Sequence, residues 1–451
     1  MAALTTAGKA GADVVGTGPS PRARKYFPWV VFTLTFALLL SDYMSRQVLS
    51  AVFPLLKADW GVSDTQLGAL TSIVALTVGL LAVPLSLLGD RWGRVRSIVL
   101  MAVIWSLATL GSAFAAGYGE LMLSRLFIGV GEAAYGSVGL AVVLAVFPAY
   151  RRASISGAFI AGGSFGSVIG VALGGALGVH FGWRAAFAAM AVLGLVLVAL
   201  FRLLISDAKL DAHRVTERAD GEPVSVAGER AKLRTLFSTP SVIAAYIGSG
   251  LQLFIAGALF AWLPSYLNRA YHLPADKAAA LAAVAILFMG VGMIVCGAVT
   301  DRLSRVVPLR KWTSAIVYSV LSLVGLGLGF SMHPGGAQLL LLGVGIFFAA
   351  GVSGPAGAMV ANLTRESIRS TAFGTLTLAN NVLGLAAGPI VVGLLADRVG
   401  LVHAMQLVPL VAIGSLIALV IGRRAYPASL ATVRAADVAR IAAAGTQEVT
   451  R

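Results

Sequence analysis

The chain has few charged residues and almost no cysteine. Only 12% of its 451 residues are Asp, Glu, Lys or Arg, whereas soluble domains carry about 25%. Hydrophobic residues make up 58% of the chain, and the mean hydropathy is +0.89. These values exclude an ordinary soluble domain and indicate an integral membrane protein. The single Cys296 excludes an internal disulfide, and the scattered histidines lack the spacing of a zinc site.

Long apolar segments are abundant. Because a helix needs roughly 20 apolar residues to cross the hydrocarbon of a bilayer, the sequence predicts an all-α integral membrane protein with twelve transmembrane helices. The predicted spans are 28–50, 65–88, 95–116, 120–147, 154–178, 184–205, 240–267, 277–300, 312–332, 337–361, 370–396 and 401–422. At the start of the second span, Ser63 and Gln66 have the spacing of a helix capping box.

The placement of the positive charge predicts the orientation of the chain. Nearly all Lys and Arg residues outside the spans fall in alternate loops and in the terminal segments. The opposite loops hold only Lys57, Arg184, Arg269, Lys277 and Arg398. Because basic loops stay in the cytoplasm, both termini are predicted to be cytoplasmic in a multi-pass protein of the cell (inner) membrane. The net charge of +15 is therefore interpreted as an orientation signal and an attraction to anionic lipid, not as a nucleic-acid footprint.

The longest polar stretch divides the chain into two similar halves. GDRWGR at 89–94 resembles TDRLSR at 300–305, and the segment 157–175 resembles 374–394. Parallel repeats of this kind predict a pseudo-two-fold axis along the membrane normal, with a site between the halves near the midplane. The predicted organisation is a flexible cytoplasmic tail, an N-terminal six-helix bundle, a cytoplasmic central loop, a C-terminal six-helix bundle and a second cytoplasmic tail, with boundaries at 1–25, 26–205, 206–235, 236–424 and 425–451.

These features resemble the major facilitator superfamily over essentially the whole chain. The loop signature of that family, small-x-x-x-Asp-Arg-x-Gly-Arg-x-Arg, stands at 86–96, and a shorter copy ends at Arg305. The resemblance implies a major facilitator fold with gating residues where the two halves meet at the cytoplasmic surface. The implied gating residues are Asp90, Arg91, Arg94, Asp301 and Arg302. The alternative is a cluster that only orients the chain by contact with anionic headgroups.

Four charged residues lie well inside the predicted spans, and all four are in the first half: Asp42, Arg46, Arg125 and Glu132. The repeat aligns them with apolar or small residues of the second half, namely Leu253, Gly257, Leu342 and Ala349. Helix packing therefore does not require these charges. Because each costs roughly 2.5–3.5 kcal/mol at a helix centre, they are candidates for function.

The spacing of these charges predicts one shared site for an anion. Asp42 and Arg46 are four residues apart, and Arg125 and Glu132 are seven apart, so each pair shares a helix face. Arginine grips carboxylate or phosphate oxygens with two hydrogen bonds. We hypothesise that Glu132 alternates between pairing with an arginine and being protonated, with Asp42 modulating this or carrying a second proton. The alternative is a buried ion-pair network that only fixes the helices.

The segment SRLFIGVGEAAYGSVG (124–139) narrows the resemblance. Its Arg-x-x-x-Gly-x-Gly-Glu-Ala pattern, with an arginine late in span 1, looks like the Spinster-type and anion:cation symporter branches. In those branches the matching glutamate and arginines bind substrate and couple protons. Those relatives place aspartate directly before the span 1 arginine, whereas this chain has Ser45 there and its acid at Asp42. Drug/proton antiporters are the alternative branch, but Val171 replaces the proline of their fifth-span signature.

Neutral polar residues of the second half complete the predicted substrate site: Gln252, Asn380 and Asn381. The alternative for these amides is hydrogen bonding between helices. The sequence thus predicts a secondary transporter, not an enzyme, that moves an organic anion by alternating access between two bundles. We expect it to work as a monomer in the bilayer, to be driven by a proton gradient, and to use no cofactor, metal or nucleic acid. The alternative function is proton-driven drug efflux.

Overall fold

The computed structural model describes residues 21–213, 239–364 and 369–449, and it contains twelve helices long and apolar enough to cross a membrane. These helices are named spans 1–12 in chain order: Tyr26–Trp60, Asp64–Gly89, Arg94–Phe114, Tyr118–Ala145, Tyr150–Phe181, Trp183–Leu204, Pro240–Tyr271, Ala275–Ser304, Arg310–Ser331, Gly336–Leu363, Thr371–Val399 and Leu401–Val433. The described ranges contain no β-strand. The predicted all-α fold with twelve spans is therefore confirmed.

Two local details show how the sequence sets the helix ends. Span 1 runs on to Trp60 instead of ending near residue 50, because the apolar residues around Pro54 remain helical and mostly buried. Span 2 begins with the predicted capping box: the hydroxyl of Ser63 accepts a hydrogen bond from the backbone N–H of Gln66 (3.1 Å), and the Gln66 side chain accepts one from the Ser63 N–H (2.9 Å). The last helix continues as Val411–Val449.

Glycines on span 5 let it pack closely on span 1. A methyl group placed on Gly166, Gly170 or Gly174 would come within about 3 Å of span 1 at Leu40, Met44 or Val48. The four-residue spacing puts these glycines on one helix face. Close helix packing thus accounts for these three glycines of span 5.

Replacing Gly170 by valine is expected to lower the melting temperature of the purified protein. The new side chain would overlap the backbone of Met44, and overpacking of this kind costs about 1–3 kcal/mol. Gly157, on the same helix, is the matched control because a methyl group there would meet no atom within 4 Å. Equal melting temperatures for the two valine variants in detergent would contradict this packing.

The two halves meet closely at one end of the bundle and separate at the other. We call them the Asp64 end (residues 57–65, 269–276 and 397–401) and the Arg91 end (residues 89–96 and 301–310). Spans 5 and 8 touch where Gly290 meets Ser164, but Gly157 and Gly297, nearer the Arg91 end, have open space beside them. Within the part of the chain that the structure describes, every hydrogen bond between the halves lies at the Asp64 end.

Spans 4 and 10 are broken at equivalent positions of the repeat. In span 4 one helix ends at Glu132 and the next begins at Tyr135. In span 10 the break lies between Ala349 and Ser353, and Ala349 is the residue that the repeat aligns with Glu132. The break is therefore part of the shared plan of the halves, whereas the carboxylate placed at it belongs to the first half alone.

Candidate functional site

Arg46 and Glu132 form an ion pair between spans 1 and 4. The Nε of Arg46 donates a hydrogen bond to Oε2 of Glu132 (2.9 Å), and its Nη2 donates to the same oxygen (2.5 Å). The side chain of Glu132 is fully buried, whereas that of Arg46 is 18% exposed. Within the described residues, no donor forms a hydrogen bond with the other carboxylate oxygen, Oε1. The pair is thus open to exchange from the arginine side.

Arg125 is a buried cation with spare hydrogen-bond donors. Its side chain is 0% exposed, and Nη1 donates to the backbone carbonyl of Ser45 (3.2 Å). Its guanidinium carbon lies 5.1 Å from the centre of the Phe187 ring. The Nε and Nη2 atoms have no hydrogen-bond partner among the described residues. Burial of unpaired donors is costly, so this guanidinium can take further acceptors at two atoms for which the described residues supply none.

Asp42 completes a cluster of four charges. It is buried. Its carboxyl group lies beside the carboxyl group of Glu132 and the guanidinium of Arg46, and Arg125 is within electrostatic reach of Glu132 and Arg46. The structure therefore brings all four predicted intramembrane charges into one region of the first half.

The predicted amides of the second half have partners of their own. Gln252 is buried, and its side-chain carbonyl accepts a hydrogen bond from Ser319 (3.1 Å), while its Nε2 has no partner among the described residues. Asn380 and Asn381 begin a π-helical segment, Asn380–Ala386, of span 11. Asn381 donates to the carbonyl of Thr377 (2.9 Å), and the buried Oδ1 of Asn380 has no partner within the same ranges. Hydrogen bonds within the second half thus occupy the side-chain carbonyl of Gln252 and the side-chain NH2 of Asn381.

The amides and the charge cluster are not joined by hydrogen bonds in the part of the chain that the structure describes. Asn381 does lie at the boundary between the halves, because a methyl group on Gly79 of span 2 would come within 2.7 Å of its Cβ. Short π-helical segments are frequent at functional sites. A substrate-binding role for Asn380 and Asn381, at the boundary between the halves, stays a prediction.

The predicted gating residues lie at the Arg91 end. Arg91, Asp301 and Arg302 are exposed and Arg94 is half-buried, whereas the side chain of Asp90 lies outside the described part of the structure. Of the four described side chains, none forms an ion pair with the other half. Their gating role therefore stays a prediction for a state in which this end is closed.

The contacts at the opposite end are not visible in the sequence pattern. The sequence places Arg269 and Lys57 in loops, yet both bind the carboxylate of Asp64. No motif marks Asp397, yet it accepts hydrogen bonds from the first turn of span 2. The sequence does show an acidic residue, Asp64, directly after the helix cap Ser63. That pattern alone does not identify the partner of Asp64.

A cavity of about 520 Å³ lies away from the charges. Leucine, phenylalanine and other apolar residues of spans 7, 8 and 10 line it, among them Leu267, Phe288 and Leu340. Asp42, Arg46, Arg125 and Glu132 do not border it. We therefore place the candidate site at the charge cluster, which can bind a charged ligand, and not at this cavity.

Twelve membrane-spanning helices in two similar halves, with a buried charge cluster in one of them, are typical of a membrane transporter. The sequence model of the Major Facilitator Superfamily matches residues 35–355. The chain belongs to the major facilitator superfamily, whose members are transporters and not enzymes. The prediction of this family and of a non-enzymatic function is confirmed.

The chain is also similar to individual transporters. It is 30% identical over 298 residues to the probable L-galactonate transporter of Escherichia coli. The aligned region covers 63% of this chain and 64% of that relative. It is 27% identical to the probable 4-methylmuconolactone transporter of Cupriavidus pinatubonensis (87% and 88% covered). It is 25% identical to human spinster homolog 1 (82% and 73% covered). The resemblance to the Spinster and sugar-acid branches is thus confirmed.

A solved structure has the same fold. The crystal structure of a bacterial homologue of the human lysosomal transporter Spinster, in an inward-facing and unoccupied conformation, superposes with a TM-score of 0.79. The match covers 91% of this chain and 99% of that chain, at 18% sequence identity. The likeness concerns the fold.

Proposed function

We propose that this protein transports an organic anion, a carboxylate or an anionic amphiphile, coupled to protons. The observation that carries the proposal is the buried guanidinium of Arg125, whose Nε and Nη2 have no hydrogen-bond partner among the described residues. A carboxylate has the charge and the paired oxygens that such a guanidinium binds. The names of the relatives, which include a probable L-galactonate transporter and a hexuronate transporter, support this class of cargo.

Charge balance supports the coupling to protons. Arg46 and Arg125 carry two positive charges, and Asp42 and Glu132 can carry two negative ones. Neighbouring buried carboxyl groups are more stable when they share one proton than when both are ionised. With one proton on the carboxyl pair, the cluster has a net charge of +1 and a monovalent anion neutralises it. Loss of that proton makes the empty cluster neutral, so the bound anion becomes an uncompensated charge and is released.

The ion pair supplies the switch. While Glu132 is ionised, it holds Arg46 through the two hydrogen bonds described above. Protonation of Glu132 weakens this pair and frees Arg46 to join Arg125 on the anion. Binding of the anion and binding of the proton therefore favour one another, which is the thermodynamic condition for coupled transport. We further propose that the protein lies in the cell membrane and that the Arg91 end and both termini face the cytoplasm.

Anions are expected to stabilise the wild-type protein against heat and to lose this effect in Arg46→Ala. At 100 times its dissociation constant, a ligand adds about 2.7 kcal/mol to stability, which corresponds to a shift of roughly 3 °C for a chain of this size. The measurement is the melting temperature with carboxylates, sugar acids, lysophospholipids and cationic drugs, at pH 5.5 and pH 7.5. Stabilisation by anions should be larger at pH 5.5.

Arg184→Ala is the matched control. Arg184 is also an arginine in an ion pair, with Asp59, but it is half-exposed at the Asp64 end. Its replacement should leave the response to anions unchanged. If only the cationic drugs raise the melting temperature, and Arg46→Ala does not alter the response, drug efflux replaces anion transport as the function.

A further inference from the structure

At the Asp64 end, one buried carboxylate joins the two halves. The side chain of Asp64, the first residue of span 2, is only 3% exposed. Arg269 of span 7 donates to it from Nη1 and Nη2, each at 2.7 Å, with one bond to each carboxylate oxygen. Lys57 of span 1 adds a third hydrogen bond at 2.7 Å. Paired bonds between arginine and a carboxylate are among the strongest in proteins.

A second carboxylate joins the halves in the opposite direction. Asp397, near the end of span 11, accepts hydrogen bonds from the backbone N–H groups of Asp64 (2.8 Å) and Thr65 (2.9 Å), and from the Thr65 hydroxyl. The first N–H groups of a helix lack partners within the helix and carry partial positive charge. Ser63 satisfies one of them, that of Gln66. The second half of the protein satisfies two more, those of Asp64 and Thr65.

The backbones at this contact approach so closely that only glycine fits. A methyl group on Gly393 of span 11 would lie 2.9 Å from the carbonyl carbon of Asp64. A methyl group on Gly68 of span 2 would lie 2.9 Å from that of Pro389. These two glycines allow Asp397 to reach the first turn of span 2. The contact between the halves therefore depends on close backbone packing as well as on the charged groups.

We propose that Asp64 and Asp397 form a latch that holds the Asp64 end closed. One carboxylate acts through Arg269 and the other through the N-terminal turn of span 2, so both bonds depend on the same helix turn. Opening of this end must break them together, and this sets the balance between the two access states. The proposal goes beyond the function proposed above, because it holds whichever cargo is carried and whichever ion drives transport.

The test measures distances between spin labels in lipid nanodiscs without substrate. One label pair replaces the exposed Ala58 and Lys277 at the Asp64 end, and another replaces the exposed Arg96 and Leu303 at the Arg91 end. The natural Cys296 is changed to alanine in every sample. In the wild type, the first pair should give one short distance. In Asp64→Asn/Asp397→Asn, a longer distance should gain population on the order of tenfold, and the second pair should become shorter.

Asp59→Asn is the matched control, since Asp59 pairs with Arg184 of its own half at the same end. It should leave both distances as in the wild type. Arg269→Gln removes only the bridge between Asp64 and the second half, and it should give a smaller shift of the same sign. Unchanged distances in both the double variant and Arg269→Gln would overturn the proposal, as would broadening of both label pairs without a reciprocal change. Loss of anion binding leaves these distances untouched, so the latch and the proposed function fail separately.

Discussion

Replacing Arg125 by leucine is expected to abolish anion binding while leaving the empty protein at least as stable as the wild type. Leucine is the residue that the second half carries at the equivalent position, where Leu342 is buried. Removal of the charged partner of a bound carboxylate costs about 2–5 kcal/mol, which is an affinity loss of roughly 30-fold to several thousand-fold. Stability should not fall, because a buried cation with unpaired donors is replaced by an apolar side chain.

This combination of results separates a binding site from a structural ion-pair network. If Arg125 served only to fix the helices, its loss would lower the melting temperature and weaken binding only through damage to the fold. The measurements are anion affinity by calorimetry and the melting temperature of the ligand-free protein. Arg125→Lys is the companion variant, since it keeps the charge but loses the planar pair of donors. We expect it to bind more weakly than the wild type and more strongly than the leucine variant.

Replacing Glu132 by glutamine is expected to preserve anion binding and to abolish accumulation of the anion driven by a pH gradient. Glutamine resembles the protonated carboxyl group, so Arg46 is permanently released from its pair and the site has no proton to give up. The affinity for the anion at pH 7.5 should rise towards the wild-type value at pH 5.5. Exchange of anion for anion across proteoliposomes should continue, because it requires no net movement of protons.

Uphill transport is the decisive measurement for Glu132. Glu120→Gln is the matched control: this glutamate is on the same span but exposed, and it accepts a hydrogen bond from the backbone of Ala116. It should accumulate the anion like the wild type. A Glu132→Gln variant that still concentrates the anion in response to a pH gradient would refute the proposed coupling. Asp42→Asn then shows whether the neighbouring carboxyl group carries a second proton or only tunes the first.

Much of the fold could be predicted because the bilayer simplifies the problem. A span must be apolar over roughly 20 residues whatever it packs against, so the number and order of helices are visible in composition alone. The capping box at Ser63 was equally predictable, since it depends on residues three apart. The four charges well inside the predicted spans of the first half are recognisable because the repeat supplies an internal comparison, in which Asp42, Arg46, Arg125 and Glu132 have apolar or small counterparts.

The sequence by itself determined which residues face one another along a single helix, and hence that Asp42 accompanies Arg46 and that Arg125 accompanies Glu132. Only the tertiary structure decided which arginine pairs with the glutamate, because the rotation and vertical offset of one helix against another depend on packing along its whole length. In the folded protein Arg46 pairs with Glu132, and Arg125 donates a hydrogen bond to the carbonyl of Ser45. The latch has the same origin. Asp64 meets Arg269 and Asp397 across more than 200 residues of chain, and no local pattern encodes a contact that exists only when two bundles close on each other.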